Sequence, residues 1–247
     1  MSSTPNKIIN FYERIPKDML DNAENPNKHL HNLSLPFRMV IVAPSGSGKT
    51  NFLVNLIYLF SCGEKGTFED ITIITKNKDE PLYNFLVKKC PSIAIKEGIE
   101  HLPQLDKFDK KVNHLVCFDD LQLMKNQEGI MNYYIRARKK NCSVIYLAQN
   151  YYQVPKVVRC NCSYLVILKL SGARDARMIL SELGLGLDRE QLMEIYEYAT
   201  REKFSPLVVD MEADPGLRFR KGLLDVINWR VDTEDKETDK EEKNSSK

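Results

Sequence analysis

Long apolar runs are what this sequence most lacks. The two strongest, residues 51–60 and 164–170, are too short or too interrupted by polar side chains to reach the roughly 18 to 20 residues of a bilayer span. A soluble protein with no membrane-spanning segment is expected. A dominant charge is also lacking: 36 Lys and Arg stand against 34 Asp and Glu, for a net charge of +2. That is not the footprint of a dedicated nucleic-acid domain. The opening Met1-Ser2-Ser3-Thr4-Pro5 lacks the basic, then apolar, then small-residue layout of a secretory signal, which points to an intracellular, reducing compartment and free thiols. Clustered cysteines are missing too. Of Cys62, Cys90, Cys117, Cys142, Cys160 and Cys162 only the last two are close in sequence, without a second Cys/His pair beside them. Two thiols with no further Cys or His ligands beside them do not complete a zinc site, so zinc is not expected and the thiols read as small apolar groups.

What is present suffices for a core. Over 247 residues, 43% hydrophobic and 28% charged residues exclude collagen, coiled coil and full disorder, and leave one large domain or two small ones. Residues 1–35 are rich in Asn, Pro, Lys and His with one apolar cluster at Ile8, Ile9, Phe11 and Tyr12, and read as an extension laid over the core. Residues 36–229 read as the main domain, including a small C-terminal addition. From Arg230 onward seven acids and five bases alternate without apolar spacing, as in a solvated, disordered tail.

Within the main domain, β-branched runs at 38–42, 71–75, 114–118, 143–147 and 163–170 alternate with helical spacing at 50–60, 81–89, 129–139 and 175–183. Near-continuous apolar strands alternating with helices predict an α/β fold whose mainly parallel sheet is covered on both faces, with right-handed crossovers. A further helix over 189–199 and a strand at Leu207-Val208-Val209-Asp210 would close one edge of the sheet.

The sharpest chemical signal is Ala43-Pro44-Ser45-Gly46-Ser47-Gly48-Lys49-Thr50, between an apolar strand and an apolar helix. It matches the phosphate-binding loop apart from Ala43 in place of the first glycine. Gly46 and Gly48 let backbone N–H groups curl around phosphate oxygens, and the following helix points its positive end at them. Lys49 would neutralise the terminal phosphates of ATP, and Thr50 would hold Mg²⁺ through its hydroxyl. The plain alternative, a Gly/Ser turn with an exposed lysine, does not explain why strand, loop and helix follow in the required order.

The second signal is a buried strand ending in Asp119-Asp120; ligands of open α/β sheets sit at the carboxyl ends of strands. Asp119 is placed to hold the Mg²⁺ water shell and Asp120 to orient or deprotonate water, the alternative being an ordinary strand-end cap. Gln149 ends the next strand and can sense the terminal phosphate or remain a simple cap. Rapid hydrolysis further needs a cation facing the transferred phosphoryl group. Arg136, Arg138 and Arg159 are candidates, Arg138 standing before the strand of Gln149 and Arg159 after it, or else they are surface charges. Lys139 and Lys140 extend the first cluster, and Arg218, Arg220 and Lys221 form another. Both suit phosphate backbones or a solvated surface.

With these residues placed, the chain resembles the DNA-packaging ATPases of poxviruses, large nucleocytoplasmic DNA viruses and virophages, in the FtsK/HerA superfamily of RecA-like motors. Four stretches between Pro36 and Arg220 carry the resemblance: 36–42 leading into the phosphate loop, Cys117-Phe118-Asp119-Asp120-Leu121, residues 136–149, and residues 154–162. The resemblance implies a RecA-like phosphate-loop domain with ATP and Mg²⁺ at Lys49 and Thr50, an acidic motif at Asp119 and Asp120, and Gln149 as polar sensor. It also implies a pentameric or hexameric ring in which one subunit's arginine completes its neighbour's site. Arg138, eleven residues before Gln149, is similar in spacing to a loop arginine in the FtsK branch and is preferred to Arg159. The implied work is ATP-driven movement of double-stranded DNA into a preformed capsid, in the host cytoplasm or viral factory, with retention in the virion and a capsid-protein partner as further expectations. A stand-alone phosphotransferase or signalling NTPase, or an ATP-binding assembly factor, would use the same loop without a ring.

Overall fold

The computed structural model describes residues 9–16, 24–183 and 186–229. The tail expected from residue 230 lies outside the described residues. Of the N-terminal apolar cluster so do Ile8 and the Tyr12 side chain, while Ile9 and Phe11 are exposed. The segment that does cover the core is the end of the extension. There Asn27 donates to the Phe60 carbonyl (3.0 Å) and to Thr67 (3.2 Å), and His31 and Leu33 are fully buried.

Helix α1 (Lys28–His31) leads into β1 (Arg38–Val42), α2 (Lys49–Phe60), β2 (Asp70–Thr75), α3 (Pro81–Lys89), β3 (Ile93–Glu97), β4 (His114–Asp119), α4 (Glu128–Arg136), β5 (Cys142–Ala148), α5 (Lys156–Cys160), β6 (Tyr164–Ile167), α6 (Ala173–Glu182), α7 (Arg189–Ala199), β7 (Leu207–Asp210), β8 (Phe219–Lys221) and β9 (Asp225–Val226). Among the described residues the strands form one sheet in the order β3-β2-β4-β5-β1-β6-β7-β8-β9. The first six in that order run parallel, and β7, β8 and β9 add antiparallel.

Alternation along each strand builds two cores. Met39, Ile41, Ile73, Leu115, Cys117, Ile145 and Leu147 face α2 and α3. Val40, Val42, Val116, Phe118, Val144 and Tyr146 face α4 to α7. A sheet buried on both faces is why its strands read as unbroken apolar runs.

Several sequence expectations shift. The run 163–170 forms a strand only over Tyr164–Ile167: the Ser163 hydroxyl and amide both bond Arg38, and Leu170 N is drawn away to the Tyr196 hydroxyl. The helix expected over 129–139 breaks into a tight 3₁₀ turn at Ala137–Lys140, ended by left-handed Asn141 (φ 46°). β7 does not close the sheet, because β8 and β9 continue beyond it. β3 is not among the strands expected from the sequence, because only one of its residues, Ile93, is buried.

Candidate functional site

β1, β5 and β4 are adjacent and parallel, so their carboxyl ends meet at one edge. Gly46 and Gly48, Lys49 and Thr50 after β1, Asp119 and Asp120 from β4, and Gln149 after β5 line one cleft of about 500 Å³ there. Ser45 also lines it. Pro44 takes part through its carbonyl, and Ser47 lines the neighbouring cavity.

The loop's shape follows from its composition. Gly46 and Gly48 adopt φ of 74° and 94°, in the left-handed region that side chains rarely tolerate. Ala43 needs no such freedom: it is fully buried, and its N–H bonds the Ala148 carbonyl (3.1 Å), extending the pairing of β1 with β5. That is why alanine can stand where the usual motif has glycine. Lys49 Nζ donates to the carbonyls of Ala43 (2.8 Å) and Pro44 (3.1 Å), folding back over the loop. Burial pulls its pKa down, opposed by Asp119, Asp120 and Glu80.

The two acids part at the strand end. Asp119 is buried and accepts a 2.5 Å hydrogen bond from the Tyr83 hydroxyl. Burial pushes its carboxyl up to about 6; the Tyr83 bond and Lys49 act the other way, while Glu80 and Asp120 add to the rise. Asp120 turns into the left-handed region (φ 54°), which Asp tolerates better than most residues. Its Oδ1 accepts from Gln149 Nε2 (3.0 Å) and Gln122 Nε2 (3.4 Å). Gln122 Oε1 in turn accepts from the Gln149 amide (3.0 Å), and Gln127 holds the loop below through the carbonyls of Leu121, Gln122 and Met124.

Thr50 and Asp119 present oxygen donors to the same cleft, where three carboxylates (Asp119, Asp120, Glu80) act on one lysine. An oxygen-lined, net-negative pocket suits a hard dication such as Mg²⁺.

Neither Arg138 nor Arg159 lines this cleft. Arg138 is exposed on the turn before β5, at the amino end of the parallel strands and so opposite the phosphate loop. Arg159 is engaged within the chain: it pairs with Glu182, donates to the Val154 carbonyl (3.1 Å) and lies over Tyr151 and Tyr152. In the late basic group Arg220 is no solvated charge. It is 2% exposed and bonds Asp210 (2.7 Å) and the carbonyls of Asn32 (2.8 Å) and Leu223 (3.2 Å), and Lys221 pairs with Glu202.

Sequence reading missed Glu80, Tyr83, Gln122 and Phe204. Glu80 lines the cleft, and its carboxylate forms no hydrogen bond or ion pair among the described residues. It and Tyr83 arrive because β2 pairs with β4, a neighbourhood no local pattern announces. The nearest signal is Glu80-Pro81 at a helix start beyond an apolar strand.

The family profile described as Poxvirus A32 protein matches residues 27–209. The chain belongs to the poxvirus A32 protein family. The A32 match takes in the phosphate loop, both acids, Gln149 and the strands through most of β7. Among relatives, the Variola virus DNA packaging protein OPG160 is 27% identical over 173 residues, covering 66% of this chain and 64% of that protein. The protein of the same name from Vaccinia virus (strain Western Reserve) gives the same figures. The A32-family chain thus spans 64% of the length of these curated relatives. Among solved structures, the genome packaging NTPase B204 of Sulfolobus turreted icosahedral virus 2, in complex with sulfate, superposes with a TM-score of 0.54 at 11% identity, covering 78% of this chain and 100% of that one. EssC (ATPases 2 and 3) of Geobacillus thermodenitrificans gives 0.53 at 10% identity, over 80% and 42%. At these identities the superpositions establish a shared α/β fold.

Proposed function

We propose that this A32-family chain hydrolyses ATP as one subunit of a pentameric or hexameric ring and uses the turnover to drive double-stranded DNA into a preformed capsid. The observation that carries the reading is the convergence of Lys49, Thr50, Asp119, Asp120 and Gln149 on one cleft from three adjacent strand ends. Membership of the A32 family and the names of its DNA packaging relatives supply the DNA.

The loop's amides and Lys49 bind the phosphates of ATP. Thr50 and Asp119 are the residues that would hold Mg²⁺, which when bound offsets charge on the phosphate oxygens. Asp120, held by Gln149 and Gln122, orients water and accepts its proton, and Gln149 beside it senses the terminal phosphate. The cation facing the transferred group comes from a neighbouring subunit. Arg138 suits this role, being exposed and remote from its own cleft, whereas Arg159 is already neutralised by Glu182. Exposed Arg136, Arg138 and Lys139 also offer sequence-independent contacts to a phosphate backbone. The site of action is the host cytoplasm or viral factory, with a capsid protein as further partner.

Steady-state ATP hydrolysis across a protein-concentration series, with and without long double-stranded DNA, tests this reading. Specific activity rising with both supports it. A flat, DNA-independent rate rejects the motor in favour of a stand-alone NTPase, and the absence of DNA binding at low salt removes the DNA coupling.

A further inference from the structure

Beside the phosphate cleft lies a second cavity of about 420 Å³, between the carboxyl end of β6 at Lys169–Ser171 and the turn that links α7 to β7. The two cavities share Gly46 and Phe204, so a ligand seated on the loop extends into the second without leaving the protein surface.

Phe204 is the unusual residue there. It belongs to neither apolar core and is 47% exposed, yet it holds a left-handed backbone (φ 66°), which is an outlier for a bulky side chain and a feature that concentrates at functional sites. Its ring packs so closely on the phosphate loop that a Cβ on Gly48 would stand 2.6 Å from its Cδ1. The turn presenting it is anchored: Thr200 Oγ1 bonds the Tyr196 carbonyl (2.8 Å), Ser205 N bonds the Glu202 carbonyl (3.2 Å), and Glu202 pairs with Lys221 at 2.7 Å. Lys203 Nζ lies 4.9 Å from the ring centre, a cation–π contact on one face of the ring.

We propose that Phe204 is the stacking platform for the base of a nucleoside triphosphate whose phosphates lie on the loop, and that the second cavity receives that base and its sugar. The proposal rests on the nucleotide reading above and adds the residue that distinguishes a nucleotide from bare polyphosphate. Flat stacking on one aromatic ring is worth roughly tenfold or more in affinity.

The test compares ATP with inorganic tripolyphosphate, both with Mg²⁺, as ligands of the full chain and of Phe204→Ala, Phe204→Trp and Lys49→Ala. The expected result is that wild type prefers ATP by about tenfold or more, that Phe204→Ala removes the preference and leaves tripolyphosphate affinity unchanged, and that ATP but not tripolyphosphate quenches the fluorescence of Phe204→Trp. Equal loss of both ligands in Phe204→Ala, or loss of neither, overturns the stacking role while the nucleotide reading stands. If wild type binds neither ligand, or Lys49→Ala binds both as well as wild type, the nucleotide reading itself fails and the proposal with it.

Discussion

The Tyr83 hydroxyl donates a 2.5 Å hydrogen bond to Asp119 Oδ2, tying the helix after β2 to the acid at the tip of β4. Both groups are buried, so removing the donor leaves a carboxylate short of its partner. Tyr83→Phe should lose about 1–3 kcal/mol of stability, read by urea denaturation without nucleotide. A cycle with Asp119→Asn should show that most of the loss depends on the carboxylate. A Tyr83→Phe protein as stable as wild type would show that the bond does not hold Asp119.

Lys49→Ala should abolish ATP hydrolysis while costing only about 1 kcal/mol in folding, because the lost bonds to Ala43 and Pro44 involve a partly exposed loop. Turnover in wild type and none in the mutant, with melting temperatures within a few degrees of each other, would exclude a protein that merely binds ATP.

Asp120→Asn and Gln149→Ala should each lower kcat by about 10²–10⁴, with ATP affinity within a few-fold of wild type, since the pair Asp120–Gln149 acts on water rather than on the loop. A mutant whose affinity and kcat fall together would place its residue in binding instead.

The two arginines should fail differently. Arg159→Ala removes the pair with Glu182 and the packing over Tyr151 and Tyr152, and should lower the melting temperature by a few degrees. Arg138→Ala should melt as wild type yet lose turnover. Mixing it with Asp120→Asn should restore part of the activity, because one mixed interface then pairs an intact cleft with an intact arginine. No recovery on mixing removes Arg138 from the neighbour's site.

His31 supplies a pH dependence. Its ring is fully buried and Nδ1 accepts from the Leu33 amide (3.0 Å), while burial, then the charges of His29 and Lys28, pull its pKa down from 6.5 to about 4. The folded state therefore binds fewer protons than the unfolded chain across that range. Its contribution is complete above about pH 6.5 and is lost as pH falls toward 4, a loss of up to about 3 kcal/mol. The stability slope between pH 6.5 and 4 should flatten in His31→Phe; an unchanged slope assigns it to other groups.

Local chemistry made half the site readable. A phosphate loop needs its glycines, lysine and threonine in one unbroken stretch, so Gly46 to Thr50 are visible without a fold. Two acids at the end of an apolar run mark a strand tip in the same way. Tyr83, Glu80 and Phe204 were not readable, because each reaches the cleft from a segment whose neighbour is chosen by sheet order or by the turn after α7. The same holds for cations: Arg138, Arg159 and Arg220 look alike along the chain. One is exposed, one is paired with Glu182, and one is buried against Asp210.

The α/β class, the strands β1, β2, β4, β5 and β7, and the phosphate loop are legible along the chain, because periodicity and motif spacing are properties of contiguous residues. Tertiary structure decided that β5 lies between β4 and β1, that Asp119 and Asp120 turn to different partners, and that Phe204 comes to rest on Gly48. Those outcomes depend on contacts between residues far apart in the chain, whose side chains find their partners only once both faces of the sheet are covered.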